Sequence, residues 1–295
     1  MRVIRAIAYI CLMAVILVSG YMLELKMNEY RTALDIQTER TLEIRKGRDV
    51  DFEKLKSRNP DTKGWIWLKD TNIDYPIVQG PDNDYYLHRD FDGGYLYDGC
   101  IFIDAGVEDP FSADENTVIY GHRMMSGAMF NNLGKYADRE FFEEHPVIII
   151  ETEDKSYDLH VIAFCKELSD SGLYTTSFDE EWEGEPEYSD DGSEESEKIM
   201  TKSDFLDLVI QTAVNLSDEP FDEDDAYVTL STCAYSSGDD RNQVIGILKD
   251  APLEEKTVIT ESKRPLFNKW LVLQILTGVF AAIILVLPLL PAKKR

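Results

Sequence analysis

The residues of this sequence that are best suited to chemistry stand where predicted β-strands end. Cys233 closes the apolar run 227–232 and precedes a polar loop, so a strand would hold its thiol rigidly at an accessible rim. Arg241 follows eight residues later, and a loop of that length returns it beside Cys233 when the two strands are antiparallel. A permanent cation there would lower the pKa of the thiol and could donate to an oxyanion.

A histidine at another strand end can serve as the acid–base partner. His122 follows the apolar run 117–121 and so occupies the same position on its strand as Cys233 does. The other histidines stand in a charged loop, before a proline and within a strand: His88, His145 and His160. Each candidate alone also has a structural interpretation, such as a buried thiol or an ion pair of Arg241 with Asp239 or Asp240. Their combination favours a nucleophilic thiol with an acid–base partner.

The composition argues against several other functions. A net charge of −26, from 30 Lys and Arg against 56 Asp and Glu, disfavours a nucleic-acid partner, because such proteins attract phosphates with cations. The four cysteines are scattered and form no Cys-x-x-Cys pair, and no His-x-x-x-His pattern occurs, so we expect neither a metal nor a cofactor. We expect Cys100 and Cys165 to be buried in strands, whereas Cys11 lies in an apolar segment.

Two apolar segments without charged residues flank the chain. Residues 6–23 and 270–290 are each long enough to cross a bilayer, which takes about 17–25 helical residues. Basic residues outside both segments place the tails 1–5 and 291–295 in the cytoplasm by the positive-inside tendency. We therefore expect a two-span protein of the cell membrane with an extracytoplasmic central domain. The alternative for the first segment is a cleaved signal peptide with small residues at 18–20.

The region between these segments is expected to fold as a β protein. Residues 24–58 have the pattern of a helical stalk and N-terminal helix, and 253–269 that of a juxtamembrane linker. In the domain 59–252, short runs rich in Val, Ile, Thr and Tyr alternate with Gly, Asp and Asn. We predict strands near 73–78, 99–104, 117–121, 147–151, 157–166, 226–232 and 243–249. Seven strands with few helices, the clearest at 203–216, favour a closed barrel or a sandwich.

One segment of this domain is unusually acidic. Residues 170–197 hold twelve Asp and Glu and no basic residue, which is nearly half of the net charge. Like charges among Gly, Ser and Pro bury little apolar surface, so a mobile, solvated loop is expected. Clustered carboxylates also suit calcium, but the spacing of an EF-hand loop is missing, and the solvated loop is the favoured interpretation.

Taken together, these residues resemble a known enzyme family. Thr-Leu-Ser-Thr-Cys at 229–233 with Arg241 after it, and Val-Ile-Tyr-Gly-His at 118–122, are similar to the motifs of sortases, the cysteine transpeptidases of Gram-positive surfaces. Further runs resemble the class B sortases, at 64–66, 71–80, 82–87, 116–122 and 129–130. The resemblance covers roughly residues 50–250.

The resemblance implies a mainly β fold, a closed eight-stranded sortase-type barrel with peripheral helices, flanked by the two transmembrane helices. It implies that Cys233 is the nucleophile that forms an acyl-thioester, His122 the proton donor and acceptor, and Arg241 the residue that stabilises the substrate oxyanion. Family positions that line the substrate groove map onto Asn83, Leu87, Tyr120, Ser231 and Thr232. The implied partners are secreted proteins with a C-terminal sorting signal, and an amine on a cell-wall precursor or another pilin subunit.

Two features depart from the class B pattern, and two other functions stay open. Ala234 follows the cysteine where class B enzymes often have an acidic residue, and a C-terminal span is more usual in pilin-polymerising sortases. One alternative is a papain-like or L,D-transpeptidase-type wall hydrolase, although papain-like enzymes place Cys before His and give Arg241 no role. The other is a non-catalytic, membrane-anchored ectodomain, against which the intact Cys, His and Arg argue.

Overall fold

The computed structural model describes residues 13–14, 16–22, 45–46, 48–97, 99–124, 127–168, 171–178, 200–233 and 240–251. They belong to two units, one of Met1–Ile36 with Glu261–Arg295 and one of Gln37–Thr260. The first unit is helical at 13–14 and 16–22. None of the helices in the described parts of the chain has the length and apolar character needed to span a membrane. Part of the predicted span 6–23 and all of 270–290 lie outside the described residues.

The second unit is built mostly of strands, as the sequence predicts. Its elements in chain order are β1 (Arg45–Lys46), β2 (Asp49–Val50), α1 (Phe52–Arg58), β3 (Thr62–Trp67), β4 (Asp74–Gln79), β5 (Ile101–Ile103), β6 (Asn116–His122), a 3-10 helix (Phe130–Ala137), α2 (Arg139–Glu144), β7 (Val147–Glu151), β8 (Ser156–Leu168), a 3-10 turn (Gly172–Tyr174), α3 (Lys202–Thr212), β9 (Ala213–Leu216), β10 (Ala226–Cys233) and β11 (Asp240–Asp250).

The expected closed eight-stranded barrel is confirmed. The strands follow the order β11-β10-β6-β5-β4-β3-β7-β8-β9, and β11 pairs again with β8, so that eight strands form a ring and β9 extends the sheet beyond β8. Closure removes the free edges of the sheet, except along the second half of β8, where β9 pairs. Alternating apolar residues fill the interior, among them Ile66, Ile119, Leu230 and Val244, which are completely buried.

The predicted helix over 24–58 is wrong for the residues that the structure describes, except at its end. Only α1 is helical there, and β1 pairs with β2 as a small antiparallel hairpin. The reason lies in Arg48, whose side chain is 6% exposed and forms ion pairs with Glu151 of β7 and Asp158 of β8. Asp51 then begins α1 by accepting a hydrogen bond from the backbone of Lys54. Residues 24–44 lie outside the described part.

The predicted helix over 203–216 is too long. The helix α3 ends at Thr212, and the next four residues form β9, which pairs with β8. The apolar spacing of this stretch allows either structure, but β8 offers unpaired backbone groups beside it. Asn215 fixes the strand further by donating to the backbone oxygens of Tyr136 and Ala137.

The expectation of one mobile loop over 170–197 is wrong for residues 171–178. These residues contain the 3-10 turn, and Leu173 is fully buried in the cluster that includes Phe205 and Val209. The side-chain amide of Asn116 donates to the carbonyls of Leu173 and Thr175, at 3.3 and 2.8 Å. None of the twelve acidic residues falls within 171–178, so the charge argument does not apply to them. Residues 170 and 179–197 lie outside the described part.

Candidate active site

The ends of three adjacent strands bring the predicted catalytic residues together in the backbone. In the parallel pair of β10 and β6, Cys233 is the register partner of His122. In the antiparallel pair of β10 and β11, Ser231 lies opposite Gln243, so Cys233 and Arg241 each lie two residues beyond this pair, at the same end of the two strands. Cys233 therefore stands between the strand of the histidine and the strand of the arginine. The chemical roles of the three residues stay predictions.

The imidazole of His122 is held by a backbone carbonyl. Its Nε2 lies 2.8 Å from the carbonyl oxygen of Leu87, and the residue is only 2% exposed. Because a carbonyl oxygen can only accept, Nε2 carries a hydrogen, and Nδ1 is the atom of the neutral ring that can take up a proton. This bond fixes both the tautomer and the orientation of the ring.

The surroundings of His122 favour its neutral form. Burial is the main cause that lowers the pKa of the imidazole, and the positive charges of His88 and Arg241 act in the same direction. The hydrogen bond to Leu87 opposes this shift without reversing it. A thiolate next to the ring would favour the imidazolium again, because opposite charges stabilise each other.

Leu87, which the resemblance places in the substrate groove, has a second role that sequence reasoning missed. Its side chain packs against the cluster that contains Val78 and Phe102, while its carbonyl binds His122. The only sequence signal for this contact is Gly99, which has a φ of 58°. A Cβ atom there would collide with the carbonyl oxygens of Tyr86 and Leu87.

Arg241 keeps one donor unpaired within the part of the chain that the structure describes. Its Nε is fully buried and has no hydrogen-bond partner among these residues. A buried donor without a partner costs about 1–3 kcal/mol, so an acceptor that reaches this Nε would be stabilised by it. The alternative partners, the side chains of Asp239 and Asp240, lie outside the described side chains.

Two predicted groove residues share one carboxylate. Asn83 donates from its amide nitrogen to Asp104 Oδ2 at 2.9 Å, and the phenol of Tyr120 donates to the same oxygen at 2.8 Å. The amide oxygen of Asn83 accepts from the backbone of Ala105 at 2.8 Å. Sequence reasoning missed Asp104, although its position directly after the apolar strand β5 was a usable signal.

The other two predicted groove residues are buried in the sheet. Ser231 Oγ lies 2.7 Å from the phenol of Tyr174, whose ring stacks on Tyr120 with centroids 6.1 Å apart. Thr232 Oγ1 accepts from the backbone of Asn242 at 3.2 Å. The structure thus joins Tyr120 to Ser231 through Tyr174, whereas the hydroxyl of Thr232 is used to connect β10 with β11.

The cysteines expected to be structural are buried, as predicted. Burial raises the pKa of the Cys165 thiol to about 11, and it also raises the pKa of Cys100. Burial thus favours the neutral thiol of both residues. Within the described ranges, no group of three or more His, Cys, Asp or Glu is arranged to hold a metal ion.

Comparison with known proteins points to one family. The family model of the Sortase domain matches residues 66–248. Sortase B of Listeria monocytogenes is 34% identical over 183 residues, which cover 62% of this chain and 67% of that protein. The Staphylococcus aureus sortase B–substrate complex has a TM-score of 0.58 at 27% identity and covers 76% of this chain and 95% of that one. A Streptococcus pyogenes class B sortase involved in pilus biogenesis has a TM-score of 0.56 at 29% identity and covers 68% and 98%.

Proposed function

Because the chain belongs to the sortase family, whose members are cysteine transpeptidases, we propose that it joins secreted proteins to an amine through an acyl-enzyme. The substrate is a C-terminal sorting signal, and the acceptor is an amine of a cell-wall precursor or of another pilin subunit. A structural relative in complex with its substrate supports the first assignment, and a relative involved in pilus biogenesis supports including pilins among the acceptors.

The observation that carries this proposal is the register that makes His122 and Cys233 partners, with Arg241 on the opposite neighbouring strand. The Cys233 thiolate attacks the scissile carbonyl, and Arg241 stabilises the oxyanion that forms. Protonated His122 gives its proton to the leaving amine, and the C–N bond breaks to leave a thioester. The acceptor amine then attacks the thioester and returns a proton to His122, so that thiolate and imidazolium are restored.

The protonation states limit how much enzyme is active at any moment. With ordinary pKa values of about 8.5 for a thiol and 6.5 for an imidazole, about 1% of the pairs hold a thiolate and an imidazolium at neutral pH. Burial of His122 lowers its pKa and so reduces this fraction, whereas the Arg241 cation favours the thiolate. The two groups titrate as a pair, so the pH profile of activity reports joint values.

We further propose that the enzyme is anchored in the cell membrane by spans at 6–23 and 270–290. The support is their apolar sequence and the basic residues that follow or precede them. In this arrangement the catalytic domain, predicted over 59–252, is extracytoplasmic and both termini are cytoplasmic. The location fits a substrate that is secreted and an acceptor that is a wall precursor or a pilin.

A transfer assay with the full-length chain in detergent tests the function. The chain is incubated with a library of fluorescent sorting-signal peptides and a glycine-based amine, and the products are separated by mass. We expect transfer to the amine, with Cys165→Ala active as the matched control. Release of free acid alone would indicate a wall hydrolase, and no reaction with any peptide would indicate a non-catalytic ectodomain.

A further inference from the structure

A second imidazole lies against the predicted acid–base residue. The rings of His88 and His122 are stacked, with centroids 5.8 Å apart and an interplanar angle of 21°. His88 directly follows Leu87, whose carbonyl accepts the hydrogen bond from His122. Two consecutive residues therefore adjoin the ring, one by a hydrogen bond at its edge and the other by a second, nearly parallel ring.

His88 is itself fixed in place by a short hairpin. Its backbone oxygen accepts from Leu96, and its Nδ1 lies 3.3 Å from the carbonyl oxygen of Tyr97. Its ring stacks on the ring of Tyr97, with centroids 6.0 Å apart. Arg89 pairs with Tyr95 across the same hairpin. These contacts therefore hold the ring of His88 in one orientation.

We propose that His88 is a positioning residue for the transpeptidation: it holds the ring of His122 by stacking and, when it carries a proton, opposes the protonation of His122. The proposal rests on the proposed function and extends it to a residue outside the Cys, His and Arg set.

His88 and Arg241 differ in how their charges beside His122 depend on pH. Arg241 approaches from β11 and keeps its charge throughout, and Cys233 is the partner of His122 on β10. An imidazole, in contrast, changes its charge between about pH 5 and 8. Two unit charges about 6 Å apart shift each other's pKa by about half a unit at the dielectric constant of water, and by more in a drier site. The charge of His88 is among the causes that lower the pKa of His122.

The first test follows the imidazoles directly and needs no activity. The chain has four histidines, so the full-length protein in detergent, labelled at histidine, gives four ring signals that substitutions can assign by NMR. His88→Phe keeps a flat ring and removes the charge. We expect the midpoint of the His122 titration to rise by about half a pH unit or more.

The matched control is His160→Gln, because His160 pairs with Glu219 on another part of the barrel. This variant should leave the titration of His122 unchanged. A His122 midpoint in His88→Phe that matches the wild type would overturn the electrostatic part of the proposal, whether or not the protein is a transpeptidase. His88→Gln provides a second neutral variant if the Phe variant folds poorly.

The second test uses kinetics to separate stacking from charge. In His88→Phe the acid limb of kcat/KM should move to higher pH by the shift that NMR shows, with the maximum within about twofold of wild type. His88→Ala should show the same shift and, in addition, a several-fold lower kcat with little change in KM, because the ring of His122 loses its support. An Ala variant with the kcat of the Phe variant would overturn the stacking role.

Discussion

Replacing Gly99 with alanine tests how the acid–base residue is held. Gly99 has a φ of 58°, and an added Cβ would press on the carbonyl oxygens of Tyr86 and Leu87. The Leu87 oxygen is the acceptor for His122 Nε2 at 2.8 Å. The substitution therefore displaces the acceptor that fixes the tautomer of the His122 imidazole.

The expected loss has two parts. A left-handed backbone costs a non-glycine residue about 1–2 kcal/mol of stability, which in a domain of this size lowers Tm by about 2–8 °C. Displacing the Leu87 oxygen weakens one hydrogen bond, worth about 0.5–1.5 kcal/mol, and this loss falls on the positioning of His122. Converted at about 1.36 kcal/mol per factor of ten, it corresponds to a decrease in kcat of about 2- to 13-fold.

The chain offers a matched control in Gly93. This residue also has a positive φ, of 85°, but a Cβ there would meet nothing within 4 Å. Gly93→Ala should therefore lower Tm and leave kcat close to wild type. The assay is kcat and KM for transfer on one sorting peptide, with thermal melts of both variants. Equal kcat values for the two variants would refute the claim that the Leu87 carbonyl positions His122.

Three further predictions concern the same end of the barrel. Arg241→Lys and Arg241→Ala should each lower kcat/KM by about 10²–10³, because an ammonium cannot reproduce a planar two-pronged donor. A Lys variant with a kcat/KM within threefold of wild type would show that Arg241 is not a catalytic residue. Asp104→Ala should raise KM more than it lowers kcat, because Asn83 and Tyr120 lose their shared acceptor. An unchanged KM would show that the Asp104 carboxylate has no part in substrate binding. The free energy of unfolding should decrease as the pH drops below about 6.5. The reason is that the pKa of His122 is lower in the folded protein than in the unfolded chain, so the unfolded chain binds the extra proton. In denaturant titrations, His122→Gln should make the free energy of unfolding depend less on pH.

The barrel strands have a strong local signal, but this signal left a barrel and a sandwich open, and the closed eight-stranded barrel was predicted from the resemblance to the sortases. The strand β7 has the predicted bounds, since the four apolar residues 147–150 between Pro146 and Glu151 have few alternatives. The helix α3 and the strand β9 were not separable, because their shared apolar spacing suits both structures and only the edge of β8 decides between them. The prediction of a mobile loop from the acidic composition of residues 170–197 was wrong at Leu173 for a similar reason. Leu173 is buried in the same cluster as Phe205, and this burial outweighs the composition of the neighbouring sequence.

The candidate site was predictable in its residue types but not in the contacts that support them. The strand ends mark His122, Cys233 and Arg241, and the register makes them neighbours. The bond from His122 to Leu87 joins residues 35 positions apart through a backbone oxygen, which carries no side-chain signal. The contact of His88 with His122 depends on the path of the hairpin after Leu87, which no spacing rule specifies.

The central claim is tested most directly by trapping the acyl-enzyme. The full-length chain is mixed with a sorting peptide in the absence of an amine, and the reaction is quenched with acid. The protein is then digested, and the mass of the peptide that contains Cys233 is measured by mass spectrometry. We expect this peptide to gain the mass of the N-terminal part of the substrate, and hydroxylamine to remove that gain. Cys165→Ala should give the same adduct and Cys233→Ala none. An adduct on another residue, or one that persists in Cys233→Ala, would contradict the account.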